Sequence, residues 1–192
     1  MVTNEQRVHR AASEHVEIVA YDPAWPQRFE EERRHLLACL ALHITGRIEH
    51  FGSTAVPGLA AKPVVDILVE IPSLRAVNAT IAPLLVRQGY EYFARPSWAD
   101  ANVPSYAWFI KRDAQGRRTH HIHMLEVGAP EWERLLFRDY LIAHPEVARE
   151  YAALKYRSAV AHGDDRLAYA KAKTAFITRI TRVARRECAK PS

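Results

Sequence analysis

Apolar residues in the first two thirds of the chain are grouped in short runs that are typical of strands. The strongest run is 64–71, VVDILVEI, which is almost continuously apolar and predicts an interior strand covered on both faces. Two runs at 106–112 and 118–127 flank a polar turn and predict a hairpin. Weaker strand patterns occur at 15–20, 47–51 and 90–94.

Helical spacing of apolar residues appears between these runs and dominates after residue 128. A turn at 21–26, YDPAWP, opens a helix that runs to about Leu42, since proline is tolerated in a first helical turn. Ser73 is a suitable cap for a second helix, and Gly89 is a suitable end. Three more helices are predicted to begin near residues 131, 145 and 166.

This order of elements predicts an α+β fold, with a mixed β-sheet core followed by a C-terminal helical bundle. We expect residues 1–14 to be a flexible lead-in, 15–128 to form the α/β core, and 129–192 to form a helical part packed on that core.

Composition narrows the class of protein. The chain has 192 residues, of which 48% are hydrophobic and 26% charged, as in globular proteins with a sizeable core. It has no apolar run of membrane-spanning length, no signal-peptide pattern and only two cysteines, so we expect a cytoplasmic protein without a membrane partner. The net charge of +5 favours anionic ligands.

Gly52 and Ser53 follow a predicted strand, and Asp66 lies about a dozen residues later in the 64–71 strand. A glycine at a strand end lets backbone amides approach an anion closely, and a serine hydroxyl can donate to a phosphate oxygen. The Asp66 carboxylate is suited to holding a divalent cation against the same phosphates. This spacing predicts a phosphate site and resembles the signature of the nucleotidyltransferase superfamily.

A longer set of motifs is similar to the GrpB family. The matching segments are 21–26 (YDPAWP), 52–59 (GSTAVPGL), 62–63 (KP), 66–67 (DI), 119–123 (THHIH), 136–141 (LFRDYL) and 169–171 (YAK). The resemblance spans about residues 16–182 and implies a nucleotidyltransferase-like fold. This family also occurs joined to dephospho-coenzyme A kinase, but the chain lacks a G-x-x-x-x-G-K-[ST] motif, so we expect the form without the kinase.

One position departs from the superfamily pattern, in which two acidic residues alternate on one strand. Leu68 stands where the second acid is expected. The next residue on the same face is Glu70, about 13 Å from Asp66 at about 3.3 Å per residue, which is too far to share one cation. Ordinary magnesium-dependent nucleotidyl transfer is therefore less well supported.

Histidines on the second hairpin strand offer a replacement. His121 and His123 share one face by strand alternation, and with Asp66 they would form a site of two imidazoles and one carboxylate. Such a set favours Mn, Fe, Ni or Zn over Mg, although Mg stays a candidate. The alternative is that these histidines line an anion pocket or pack in the sheet. His50 is likewise either a cleft residue or a hydrogen-bonded sheet residue.

Loop residues offer further contacts to a phosphate. Thr54 follows Ser53 in the same loop, and Lys62 precedes the Asp66 strand. Lys62 is suited to neutralising a phosphate, but an exposed loop lysine is an equal alternative. Trp98 is placed to act as a lid over the cleft.

Basic residues of the predicted C-terminal helices are also candidates. Arg138 is a candidate phosphate ligand, and a structural ion pair is the alternative. Since helix neighbours do not face each other, we expect Arg138 and Asp139 to have different partners. Lys171, flanked by apolar residues, is suited to binding a triphosphate or to snorkelling as a structural lysine. Lys155 and Lys173 lie on the same helices.

Three functions are compatible with the sequence. The first is an enzyme that binds a nucleotide or other small phosphate-bearing molecule with a divalent metal and transfers a nucleotidyl or phosphoryl group. The second is a catalytically inactive module that binds a nucleotide or metabolite. The third, nucleic-acid binding, rests only on the basic C-terminal helix and is the least supported, because no RNA- or DNA-reading motif is visible. The sequence does not indicate an oligomeric state.

Overall fold

A computed structural model describes residues 4–96 and 104–189 of the chain, so Trp98, the predicted lid, lies outside the described residues. Within those ranges, every helix is too short or too polar to cross a bilayer. The chain divides into two units. We call Asp22–Ala55 with Val64–Trp132 the sheet unit, and Met1–Tyr21, Val56–Pro63 and Glu133–Ser192 together the helical unit.

The sheet unit is built on a five-stranded mixed sheet. Its strands are β1 Ile48–Phe51, β2 Val65–Ile71, β3 Glu91–Pro96, β4 Pro104–Arg112 and β5 Arg118–Glu126. They pair in the order β1-β2-β5-β4-β3, with β2 and β5 parallel and the other neighbours antiparallel. The apolar run at 64–71 therefore forms an interior strand, and the predicted hairpin is β4 with β5. Both outcomes confirm the predicted α+β class.

The strand register determines which side chains share a face. Asp66 of β2 is opposite His121 of β5, and Leu68 is opposite His123. Trp108 of β4 is opposite His123 on the other side of β5. Because directly opposed residues project from the same face of a sheet, Asp66, both histidines and Trp108 lie on one face.

Helix α2, Trp25–Leu40, packs on the sheet within this unit. It begins at the predicted turn, where the Oδ1 atom of Asp22 accepts a hydrogen bond from the backbone N–H of Ala24 at 2.9 Å. Apolar residues at helical spacing, such as Trp25, Phe29 and Leu36, are buried. The amphipathic pattern in the sequence predicted this helix correctly.

A second helical segment lies between β2 and β3. It consists of α3 Leu74–Ala76, a π turn Val77–Ile81 and α4 Ala82–Arg87. The Ser73 hydroxyl accepts a hydrogen bond from the N–H of Ala76 at 3.2 Å, which confirms its capping role. Gly89, with a φ of +89°, ends the segment as predicted.

The helical unit contains α1 Asn4–Ser13, α5 Arg134–Ala143, α6 Pro145–His162 and α7 Arg166–Cys188. A 3-10 turn, Pro130–Glu133, precedes α5, and Asp165 caps α7 by accepting from the N–H groups of Leu167 and Ala168 at 3.0 Å each. A buried core joins α5, α6 and α7 to the 56–63 segment. That core comprises Val56, Leu59, Phe137, Leu141, Ala148, Tyr151 and Ile180.

The N-terminal region differs from expectation at one predicted strand. The predicted lead-in contains helix α1, an amphipathic helix that contacts α7. The strand predicted at 15–20 is wrong, since only Val19 pairs, with Ala61, as an isolated bridge. The two units group 15–21 and 56–63 with the helices, and the predicted division into 1–14, 15–128 and 129–192 stays a prediction.

Candidate metal centre

Asp66, His121 and His123 meet on one face of the sheet. The Oδ1 atom of Asp66 is 2.9 Å from Nδ1 of His121 and 4.0 Å from Nε2 of His123. One donor atom from each of the three side chains lies within 4.8 Å of the others. Adjacent ligands of one ion at about 2.1 Å are about 3 to 4 Å apart, so the two distances from Asp66 are in the range of a shared cation.

The chemistry of the donors indicates which ion would fit. Two imidazole nitrogens and one carboxylate oxygen suit Zn, Ni, Fe or Mn, whereas Mg prefers oxygen ligands alone. Three protein ligands leave coordination positions for a substrate or water. Both histidines are buried, and the Asp66 side chain is 27% exposed, so the site is reached from the Asp66 side.

Arg118 orients one of the histidines. A guanidinium group only donates hydrogen bonds, so its Nη1 atom, 3.4 Å from Nε2 of His121, faces an imidazole nitrogen that accepts. The proton of His121 is then on Nδ1 and is donated to Oδ1 of Asp66. A metal at this nitrogen would replace that proton, so ion binding and this hydrogen bond are alternatives at one atom.

Aromatic rings surround the two histidines. The ring centre of His123 is 5.1 Å from that of Phe51 and 5.3 Å from that of Tyr106. Trp108 lies 5.1 Å from His121 and 6.2 Å from His123, again between ring centres. These rings restrict rotation of the imidazoles, which holds their donor nitrogens in place for a ligand.

Gly52 packs directly against Asp66. Its φ is +72°, a left-handed conformation that glycine adopts most readily. A Cβ atom at this position would lie 2.6 Å from Oδ2 of Asp66 and 3.2 Å from its Cβ and Cγ. The Gly-Ser loop and the acid therefore meet as the sequence spacing predicted, and glycine is needed for both conformation and space.

The residues after Gly52 form a 3-10 turn, Ser53–Ala55. Ser53 is half-buried, and its phosphate contact stays a prediction. Thr54 is buried, and its hydroxyl is 3.0 Å from Nε2 of His50. The His50 ring also stacks on Phe29 at 4.9 Å, so His50 supports the turn and is not one of the three clustered donors.

The other predicted phosphate ligands belong to the helical unit. Lys62 is half-buried, with its Nζ atom 5.5 Å from the ring centre of Tyr169, and Lys171 is exposed on α7. The Nε atom of Arg138 donates to Oδ1 of Asp139 at 2.7 Å. These neighbours therefore pair with each other, although helix geometry led us to expect that they would not. The phosphate contacts of Lys62, Arg138 and Lys171 stay predictions.

Arg118, Tyr106 and Phe51 were not predicted as site residues. Simple alternation along β5 places Arg118 with His120, on the opposite face from His121. The β4–β5 register shifts between Lys111 and Arg112, however, so alternation cannot be counted through Arg118. The signal that could have identified the aromatic residues is their position on strands paired with the histidine strand.

Fold and site together define a class of α+β protein with a mixed five-stranded sheet and a candidate two-histidine, one-carboxylate metal centre. The sequence model of the GrpB protein family matches residues 15–183. The chain therefore belongs to the GrpB family, as its motifs predicted. A crystal structure of the conserved protein GrpB from Enterococcus faecalis is 34% identical and superposes with a TM-score of 0.77, covering 91% of this chain and all of that one.

Several bacterial proteins are similar along most of this chain. The UPF0157 protein YqkA of Bacillus subtilis is 39% identical over 84% of this chain, which spans 45% of that protein's length. The glutamate-rich protein GrpB of Alkalihalophilus pseudofirmus is 32% identical over 85% of this chain and 92% of its own length. A dephospho-CoA kinase of Mycolicibacterium paratuberculosis is 33% identical over 78% of this chain, and the match covers 40% of the kinase.

Proposed function

We propose that this protein binds a divalent transition metal through Asp66, His121 and His123, and uses it to hold a nucleotide or another small phosphate-bearing molecule for nucleotidyl or phosphoryl transfer. The observation that carries the proposal is the convergence of three metal-binding donor atoms within 4.8 Å on one face of the sheet. A bound cation would supply positive charge against the phosphate groups of the ligand.

The chain's own residues have separate tasks in this proposal. Gly52 brings the Gly-Ser loop against the acid, so a ligand bound at the Ser53 hydroxyl is next to Asp66. Arg118 fixes the orientation of His121, and the rings of Phe51, Tyr106 and Trp108 exclude water from the histidine side. The dephospho-CoA kinase similarity adds support for a small-molecule ligand, although the match covers less than half of that enzyme.

The test is metal binding by the full chain, measured as thermal stabilisation by Mg, Mn, Ni and Zn salts with and without nucleoside triphosphates. A ligand at about 100 times its dissociation constant stabilises by about 2.7 kcal/mol. We expect Asp66→Asn and His121→Gln each to weaken metal binding by about 10- to 100-fold. His120→Gln is the matched control, because His120 is a buried neighbour on the same strand outside the cluster.

Wild-type protein without metal-dependent stabilisation, or equal losses in His120→Gln and His121→Gln, would contradict the metal centre. Turnover of a nucleoside triphosphate that disappears in Asp66→Asn would support transfer chemistry.

A catalytically inactive binding module is the second candidate, and Leu68 favours it. Leu68 is fully buried opposite His123, at the position where a second carboxylate would assist the first. Without that carboxylate, the site has fewer charges to balance a metal–phosphate complex. Nucleotide binding that is tight, independent of metal and without turnover in calorimetry would favour this candidate over the enzyme.

A further inference from the structure

A cavity of about 400 Å³ lies within the helical unit. Its lining comes from the segment 56–59, from Leu141 and Ile142 near the end of α5, and from one face of α6. This volume is within the range of small-molecule binding sites, about 300 to 1,000 Å³. The cavity shares no residue with the candidate metal centre, so a ligand bound there would serve a separate purpose.

Small side chains on α6 leave room for this cavity. The lining residues of α6 are at positions 145, 148, 149 and 152, a helical spacing that places them on one face. Ala148 and Ala152 end at Cβ, so they leave space beside Leu59 and Leu141, which are 3% and 1% exposed. Because Leu59, Leu141 and Ala148 belong to the packed core of the unit, the cavity keeps its shape before a ligand binds.

The chemistry of the lining indicates an aliphatic ligand with one anionic end. Of the lining residues within 4–96 and 104–189, Arg149 alone has a charged or hydrogen-bonding side chain. It is exposed, and no ion pair within the described ranges includes it. A guanidinium can bind a carboxylate through two parallel N–H donors. A polar group in the middle of the ligand would be buried without a partner, so the body of the ligand must be apolar.

We propose that this cavity binds a medium-chain aliphatic carboxylate, with the chain against Leu59, Leu141 and Ala152 and the carboxylate at Arg149. Ile142 also lines the cavity and is 46% exposed. A bound chain would cover this apolar side chain, and removing it from water adds to the affinity. The cavity is thus a second ligand site, distinct in chemistry from the phosphate site proposed above.

Calorimetric titration of the full chain with hexanoate, octanoate and 1-octanol tests this site. We expect affinity to rise about fourfold for each additional methylene that is buried, so octanoate binds more tightly than hexanoate. Arg149→Met keeps an apolar stem but removes the charge. It should weaken octanoate binding by about three- to tenfold and leave octanol binding within about twofold of wild type. Arg157→Met is the matched control, at an exposed position of α6 outside the lining.

Filling the cavity is a second, independent test. Ala152→Leu places a larger side chain in the lining, and it should weaken octanoate binding by about tenfold or more, because leucine and the chain compete for one volume. Ala153→Leu is the matched control, since Ala153 is the exposed neighbour on the same helix and does not line the cavity. Its octanoate affinity should stay within about twofold of wild type.

Two results would overturn the proposal. The first is no octanoate binding by wild type, and the second is an equal effect of each variant and its matched control. If wild type instead forms a dimer in sedimentation that Ala152→Leu abolishes, and does not bind octanoate, the cavity holds a second copy of the chain. If Ala152→Leu does not fold, the comparison of octanoate with octanol in Arg149→Met still decides the question. Failure here would leave the metal-centre proposal intact, because that proposal is tested with metal and with residues of the sheet unit.

Discussion

At the scale of single residues, Gly52 packs the Gly-Ser loop against the carboxylate of Asp66. Its left-handed backbone and the 2.6 Å distance from a Cβ at this position to Oδ2 of Asp66 are two separate requirements. Gly89 shares the first requirement, with a φ of +89°, but has no atoms within 4 Å of such a Cβ. Substitutions at Gly52 and Gly89 therefore distinguish the effect of backbone strain from the effect of contact with the Asp66 carboxylate.

We predict that Gly52→Ala weakens metal binding by about tenfold, because the methyl group displaces the Asp66 carboxylate. Gly89→Ala should leave metal affinity unchanged. It should lower the free energy of unfolding by about 1 kcal/mol, the cost of placing alanine in a left-handed backbone conformation. Metal titration and urea unfolding of both variants measure these effects. Equal metal affinity in the two variants would show that the Gly52 contact does not position the acid.

Lys155 makes the stability of the protein depend on pH. Its pKa is lowered from 10.5 to about 7 in the folded state, mainly by burial. Between these values the unfolded chain binds the proton and the folded chain does not, so the free energy of unfolding rises with pH in this window. Below about pH 7 the full cost of charging the buried amine is present.

We predict that Lys155→Met removes this dependence. Between pH 7 and pH 10, the free energy of unfolding of wild type should rise by about 3 kcal/mol relative to that of the variant. Urea unfolding of both proteins across this range measures the difference, in which all other titrations cancel. Parallel stability curves would mean that Lys155 titrates normally in the folded protein.

At the scale of elements, a buried carboxylate connects α2 to the sheet. Glu32 is 2% exposed, accepts a short hydrogen bond of 2.5 Å from the Tyr90 hydroxyl, and pairs with the Lys111 ammonium of β4. Burial, followed by the charge of Glu32, raises the pKa of Tyr90, so the phenol remains a donor. Glu32 thus connects helix α2 to Tyr90, which precedes β3, and to Lys111 of β4.

We predict that Glu32→Gln lowers the free energy of unfolding by about 2 kcal/mol, because it leaves Lys111 without its buried negative partner. Lys111 is 34% exposed, so solvent reduces the loss below that of a fully buried pair. Glu30→Gln, in the exposed Arg33–Glu30 pair on the same helix, should change stability by less than about 0.5 kcal/mol. Urea unfolding that gives similar losses for both variants would contradict this assignment.

The elements that the sequence predicted correctly are those specified by local signals. The apolar run at 64–71, the Ser73 cap and the hairpin turn each act through neighbouring residues, and each appears where it was expected. The strand predicted at 15–20 failed because pairing requires a long-range partner, and only Ala61 is available. Helix α1 was missed because the polar composition of residues 1–14 was weighed and its amphipathic spacing was not, although that spacing suits a helix that contacts α7.

The candidate site was predictable in part for the same reason. Alternation on one strand placed His121 and His123 on one face, and the parallel register then brought Asp66 opposite His121. The contact of Arg118 with His121 depends on an irregularity in the β4–β5 register, which no local pattern indicates.

At the scale of the whole molecule, the chain passes between the two units four times. Val56–Pro63 lies between two stretches of the sheet unit but packs in the helical core. Val56 and Leu59 are 2% and 3% exposed there, with Phe137, Leu141 and Ile180 in the same cluster. Neither unit is therefore a continuous segment that a single cut would release.

We predict that a fragment of residues 1–132 does not unfold cooperatively, because Val56 and Leu59 lose their apolar partners. A fragment of residues 1–184 is the matched control, since Ala184 is the last buried residue of α7. The control loses the exposed Arg185–Glu133 pair and should be within about 1 kcal/mol of the full chain. Urea unfolding followed by tryptophan fluorescence distinguishes them, and a sharp transition in the shorter fragment would contradict the prediction.

The position of Val56–Pro63 in the chain also sets an order of events during synthesis. A ribosome adds about 5–20 residues per second, so roughly 4–16 s separate Leu59 from Leu141, its partner in the helical core. Strand β1 is made before Leu59, and β2 to β5 are all made within that interval. The nascent protein thus carries an uncovered apolar segment between strands that are already able to pair. Chaperone binding at this segment, followed by release when α7 emerges, is the folding route that the chain order favours.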